Sequence, residues 1–273
     1  MFTRTERYGT LFILLAAAAI TLYPIAALVS AALEPVSSNV NSINFWHSLS
    51  FSSFKYAWDA GGFSRYMVNT AIMTIGVLVI SAIVATVAGY AIVHLRPYGS
   101  RLLFYAAIVG FMLPVEVLIT PWYYELRSMN LLNGYWALIL PQAAQSVAFG
   151  IFWMRSAFMA VPESLVEAAT LDGASRWHMF RFVLVPSVKP ALKTMSALVF
   201  LWTWNAFLLP LVVESNTNRY VVTIGLSTFQ GAHFANYGAL GAGAVLAALP
   251  VVIVYLISQR SFISGMFAGS TVG

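Results

Sequence analysis

Six apolar runs, each long enough to cross a bilayer, alternate along the chain with polar connections. They fall at residues 8–32, 68–95, 102–122, 135–158, 191–213 and 237–258. A helix rises about 1.5 Å per residue, so about 20 apolar residues match the hydrocarbon thickness. A membrane β-barrel is written instead in segments of about ten residues that alternate apolar and polar. The runs here are continuous. The pattern predicts an all-α membrane protein with six transmembrane helices in a single domain, residues 1–273.

Lys and Arg placement orients the spans, because cytoplasmic connections carry the excess of positive charge. With the N-terminus inside, Arg4, Arg7, Arg96, Arg101, Arg155, Arg176, Arg181, Lys189, Lys193 and Arg260 face the cytoplasm. Lys55, Arg65, Arg127 and Arg219 face outward. Ten against four predicts that both termini are cytoplasmic. The first run is longer than the 7–15 residues typical of a signal-peptide core, so it is expected to remain as a span although Val29-Ser30-Ala31 resembles a cleavage site.

Composition agrees. The chain is 60% hydrophobic and 8% charged, where soluble domains are about a quarter charged. The absence of cysteine excludes disulfides and thiolate metal sites. The net charge of +5 follows from topology, and no nucleic-acid motif accompanies it. His47, His94, His178 and His233 are scattered without metal-ligand spacing, and no metal site is expected. No G-x-x-x-x-G-K-[ST] occurs, so the chain has no P-loop of its own. Gly238, Gly241 and Gly243 read as small residues that let helices approach. No internal repeat is evident.

Of the outer connections, residues 34–67 form the longest. PVSSNVNS reads as irregular, and FSSFKYAWDAGGFSRYM carries aromatics suited to an interfacial helix. Residues 216–236 read as a polar, glycine-bearing loop.

Charge is concentrated in one place. Glu163, Glu167, Asp172, Arg176, Arg181, Lys189 and Lys193 are seven of 23 charged residues, within 31 positions on the cytoplasmic side. Pro162 suits a first helical position, with Glu163 and Glu167 in the turns where the helix dipole favours acids. That helix is expected to run to about Leu171, with Gly173 at a positive-φ position after it. Ser175 then caps a second short helix. Trp177, Phe180 and Leu184, with Val183 beside them, give it an apolar stripe, and Pro186 is expected to close it. The residues alone leave two readings open: an amphipathic loop on the inner leaflet, or a docking element for a cytoplasmic protein.

At these residues the chain resembles a known family. Glu167-Ala168-Ala169, Gly173 six residues after the glutamate, and Val183, Val185 and Pro186 are similar to the EAA loop of ABC importer permeases. The string EAATLDGAS…F…P resembles the carbohydrate branch, which includes the permease subunits of maltose/trehalose and glycerol-3-phosphate importers. Phe54 to Trp58 followed by Asn69-Thr70, MLPVEV at Met112 to Val117, Trp204-Asn205, Gln259-Arg260 and Gly265 extend the likeness over nearly the whole chain. MLPVEV is most like the glycerol-3-phosphate permeases. The tail departs from the family pattern, since Gly265-Met266-Phe267-Ala268-Gly269 is followed by no lysine.

The resemblance implies the type I ABC importer permease fold in a bacterial cytoplasmic membrane, with residues 160–190 as the coupling loop. It implies that Glu167, Ala168, Ala169, Asp172, Gly173, Ala174 and Pro186 meet the ATPase, which binds ATP and Mg, while this chain holds no cofactor. The partners implied are a second homologous permease, two ATPase subunits, an extracytoplasmic solute-binding protein and the lipid bilayer. For the solute path, Gln142, Gln145, Trp204 and Asn205 offer the amide groups and the aromatic face that bind hydroxyl-rich solutes, with Ser146 beside them, and Glu116 is an acid inside an apolar run. The rival reading is an ion-gradient-driven carrier with Glu116 as its ion site. A membrane-embedded enzyme lacks any nucleophile, base or metal constellation.

Overall fold

The computed structural model describes residues 4–35, 49–230 and 236–268, and these are mostly helical, with no β-strand among them. In chain order the helices are α1 (Arg4–Ala32), α2 (Ser52–Trp58), α3 (Phe63–Tyr90), α4 (Ser100–Met112), α5 (Val115–Ser128), α6 (Tyr135–Met159), α7 (Glu163–Leu171), α8 (Arg176–His178), α9 (Val185–Trp204), α10 (Leu208–Val213), α11 (Val222–Gly225) and α12 (Tyr237–Ala268). A π-helical turn, Ala91–Leu95, extends α3, and another, Met179–Leu184, joins α8 to α9.

Among the described residues, five stretches are helical, long and apolar enough to cross a bilayer: Tyr8–Ala32, Phe63–Leu95, Tyr135–Met159, Arg176–Trp204 and Tyr237–Gln259. α4 and α5 qualify only as a pair, bent by 102° at the break between them. The expected third span is therefore not one continuous helix. Leu113 (ψ 126°) and Pro114 (ψ 132°) are both extended, because proline's ring excludes the helical region for the residue before it and removes a donor.

The fifth span also differs from expectation. Pro186 does not close the second docking helix, because α8 runs through the π turn into α9 without a break. In the π turn the Val185 N–H reaches five residues back to the Phe180 carbonyl. The ladder is thus already shifted where Pro186 enters, and a proline in the first turn of α9 costs little. The helix ends at Trp204 rather than near Val213, and α10 follows as a separate short helix.

The chain divides into two compact units. One comprises Met1–Met67 and Val222–Pro250. In it the end of α1, α2 and the start of α12 pack closely. A Cβ at Gly241 would lie 2.9 Å from the Ala32 nitrogen, one at Gly238 2.6 Å from Ser53 Oγ, and one at Gly243 3.0 Å from the Phe229 ring. The expectation of small residues for close packing is met at all three. Ser53 Oγ donates to the Glu34 carbonyl at 2.6 Å, which fixes α2. The helix expected in the outer connection is thus present. PVSSNVNS, beyond Pro35, lies outside the described residues.

The other unit comprises Val68–Val221 and Val251–Gly273. α6 is its central helix, with α4 along one side and α9 along another. At Gly150 of α6 a Cβ would come within 2.6 Å of the Ala85 Cβ on α3 and 3.1 Å of Met195 Sδ on α9, so only glycine admits both neighbours. Trp153 Nε1 donates to the Ala191 carbonyl at 2.9 Å and ties α6 to α9. The loop expected at residues 216–236 is more ordered than its sequence implied, since it contains two 3-10 turns, Thr217–Arg219 and Leu226–Phe229, and α11.

Candidate functional site

The charged cytoplasmic segment folds as two helices around one glycine. Pro162 (φ −58°, ψ 134°) stands immediately before α7 rather than inside it, and Glu163 occupies the first turn, where exposed N–H groups favour an acid. At the other end the Gly173 N–H donates to the Thr170 carbonyl and the Ala174 N–H to the Ala169 carbonyl, each at 3.0 Å. This pair of bonds is the Schellman arrangement, which needs a left-handed residue between its donors. Gly173 supplies it at φ +77°. Ser175 (φ −65°, ψ 159°) then accepts the His178 N–H on its Oγ at 3.2 Å and opens α8.

Most residues implied for ATPase contact lie at the surface. Glu167, Ala168, Asp172, Gly173 and Pro186 are exposed, Ala174 is half-buried, and Ala169 is buried beneath the turn. Two large apolar side chains flank the glycine in the open: Leu171 is 89% exposed and Trp177 64%. Phe180 is half-buried and Leu184 fully buried, so the expected stripe turns partly inward and anchors the segment. The segment thus presents two exposed apolar side chains among the charged residues of its own sequence, on a backbone fixed by caps.

Four of the residues expected along the solute path lie toward one end of the α6–α9 pair. α6 and α9 run antiparallel, since Gly150 meets Met195 and Phe149 meets Trp202 with ring centroids 4.8 Å apart. Gln142 and Gln145 therefore lie toward the same end of the helix pair as Trp204 and Asn205. Both glutamines are half-buried and Ser146 is buried. Trp204, only 5% exposed, stacks on Phe200 at 5.3 Å and offers no open face in this arrangement. Asn205 is exposed, but its Nδ2 donates to the Leu201 carbonyl at 2.8 Å, capping its own helix.

Glu116 is not an acid buried in a span. It is exposed in the first turn of α5, just past the break at Pro114.

A polar network that sequence reasoning missed ties three elements together at the end of the second unit expected to face outside. Asn69 of α3 donates through Nδ2 to the carbonyls of Asn218 and Tyr220, both at 2.9 Å. Tyr135 of α6 joins it, and the Arg219 guanidinium lies 5.8 Å from the Tyr135 ring centroid. Asn133 Oδ1 accepts from the Ser215 N–H at 2.7 Å and from its Oγ at 2.8 Å. Glu214, 3% exposed, accepts the Asn216 N–H on Oε1 at 2.9 Å. Burial pushes its carboxyl above the usual carboxylate range, partly offset by that N–H and by Arg219.

Comparison with known proteins adds the following. The family model described as "Binding-protein-dependent transport system inner membrane component" matches residues 77–267. The diacetylchitobiose uptake system permease protein NgcG of Streptomyces coelicolor is 29% identical over 239 residues, covering 87% of this chain and 78% of that protein. The arabinooligosaccharides transport system permease protein AraQ of Halalkalibacterium halodurans is 30% identical over 259 residues, covering 93% and 92%. Among solved structures, a chain of a bacterial ABC transporter involved in import of the acidic polysaccharide alginate superposes with a TM-score of 0.81 at 23% identity, covering 95% of this chain and 98% of that one.

Proposed function

The chain belongs to the family of binding-protein-dependent transport system inner membrane components, and on that premise we propose that it forms one half of the translocation path of an ATP-driven importer for a sugar or oligosaccharide. The observation that carries the proposal is the docking element: two helices capped around Gly173, exposed, with Leu171 and Trp177 uncovered between charged residues. The names of the sequence relatives support the solute class. The chain is a transport subunit, and hydrolysis falls to ATPase subunits that engage Glu167, Ala168, Ala169, Asp172, Gly173, Ala174 and Pro186.

A second permease completes the path, an extracytoplasmic binding protein delivers the solute, and a bacterial cytoplasmic membrane holds the assembly. ATP-driven closure of the ATPases displaces α7 and α8, and the spans rock between inward- and outward-facing states around Gln142, Gln145 and Asn205. No covalent step occurs in this chain.

The test is ATP hydrolysis by whatever co-purifies with the tagged chain in mild detergent, comparing wild type with Gly173→Pro. Proline cannot adopt φ +77° and deletes the N–H that meets the Thr170 carbonyl. Wild type is expected to bring down a stoichiometric ATPase and the variant to lose it. Well-folded wild-type protein without any ATPase would sink the proposal.

A further inference from the structure

The two π-helical turns of the second unit meet across a cluster of rings. Tyr90, the last residue before the turn Ala91–Leu95, packs against Phe180, inside the turn Met179–Leu184, with centroids 4.7 Å apart. Phe158, near the end of α6, lies 6.1 Å from Tyr90 and 6.0 Å from His94. Trp177 closes the cluster from the docking side at 5.5 Å from Phe180. The Tyr90 hydroxyl donates to the Arg176 carbonyl at 3.3 Å, at the first residue of α8. One tyrosine therefore touches the docking helix with both its ring side and its hydroxyl, while its own backbone belongs to α3.

Three features set this junction apart from ordinary core packing. π turns are rare, and they occur mostly as single-turn bulges inside α-helices, frequently at functional sites. Both π turns of the described chain occur here, on opposite sides of the rings. His94 Nε2 is buried without a hydrogen-bond partner. A buried polar atom left unpaired disfavours the arrangement that holds it and favours any other that pairs it. Finally, α6 leads into α7 and α9 follows α8 by covalent continuity, whereas α3 meets the docking segment in this unit at these rings, which also hold the end of α6.

Granting the coupling role of α7 and α8 above, we propose that Tyr90 and Phe180 are positioning residues that carry displacement of the docking helices to α3 and α6, with the two π turns as the parts that change shape. Neither residue is in the set that meets the ATPase, and neither lines the solute path.

The chain has no cysteine, so a single introduced thiol reports movement without background from this subunit. Gln145→Cys on α6 is placed in the full complex with its ATPase subunits and reconstituted in lipid vesicles. Its labelling by a hydrophilic maleimide is compared without nucleotide and with MgATP plus vanadate. The Gln145→Cys chain is expected to show a nucleotide-dependent change in labelling rate. Adding Phe180→Ala should shrink that change about three- to tenfold while the ATPase stays bound and hydrolyses ATP, and Phe180→Tyr should restore it.

An undiminished response in Phe180→Ala overturns the proposal. So does loss of the ATPase from that variant, since the ring would then shape the docking surface itself. Where ring removal costs the fold, Tyr90→Phe keeps every ring and deletes one hydroxyl. Its response should fall about twofold, and an unchanged response overturns the role of Tyr90. No nucleotide response in the Gln145→Cys chain, with ATPase bound, sinks instead the coupling reading beneath the proposal.

Discussion

Tyr135 donates its hydroxyl to the amide oxygen of Asn69 at 2.8 Å, joining residues 66 positions apart in sequence. With its two bonds to the carbonyls of Asn218 and Tyr220, the Asn69 amide uses both donors and an acceptor in a site that is nearly closed to solvent. The starts of α3 and α6 and the connection after α10 are thus held by one side chain.

Asn69→Ala leaves two carbonyls and a hydroxyl to find other partners. A hydrogen bond contributes about 1 kcal/mol net, so loss of the three part-buried bonds should cost about 2–4 kcal/mol. Tyr135→Phe removes one bond of the three and should cost about 1 kcal/mol. Thermal unfolding in detergent ranks the two, and equal midpoints for both variants and wild type would contradict the assignment.

Glu214 makes stability depend on pH. Burial raises its carboxyl in the folded state, so the folded protein holds this proton more tightly than the unfolded chain does. The stabilisation is fully present below the ordinary carboxylate value and is lost as pH rises through the raised folded value. As pH rises above the ordinary carboxylate range, the wild-type midpoint should fall more steeply than that of Glu214→Gln, which has no proton to release. Parallel pH profiles for the two proteins would show that Glu214 titrates as an ordinary carboxylate.

Gly150 faces Ala85 across a separation with no room for a methyl group. Gly150→Ala should destabilise by about 1–3 kcal/mol, because close-packed helices tolerate added volume poorly. Ala85→Gly in the same chain removes the opposing methyl and should recover most of the loss. A double-mutant cycle on unfolding midpoints measures the coupling, and simple additivity would mean that the helices relax apart.

Glu116→Gln should leave ATP-driven uptake within about twofold of wild type, as expected for an exposed substitution away from buried networks. Abolished uptake with the ATPase still bound and active would return Glu116 to the solute path.

The docking element was legible because its signals act within one turn. Pro162, Gly173 and Ser175 each satisfy or release backbone groups three to five residues away, and the structure uses the glycine and the serine as their chemistry requires. Pro186 obeys an equally local rule, yet it failed as a stop, because the π turn before it had already shifted the hydrogen bonds that proline disrupts. The run at 102–122 reads as one span, and its 102° bend at Pro114 appears only in the structure. Trp204 and Asn205 have the composition of a sugar site, and only the fold reveals that the Trp204 ring is buried against Phe200 and that an Asn205 amide N–H meets the Leu201 carbonyl. The Asn69 network joins residues up to 151 apart, so no window of sequence contains it.

The elbow at Leu113–Pro114 bears on the lipid around the protein. The 13 residues of α4 reach about 20 Å, short of the roughly 30 Å of hydrocarbon. If α4 starts at the cytoplasmic boundary, as Arg96 and Arg101 place it, the extended backbone beyond it falls at a depth where acyl chains offer no hydrogen bonds. Irregular backbone persists there only against protein or water. Leu113 is 42% exposed within this chain, so its cover comes from outside it. Along this part of the perimeter the annulus of lipid would then be interrupted, with a neighbouring subunit or an aqueous inlet in its place.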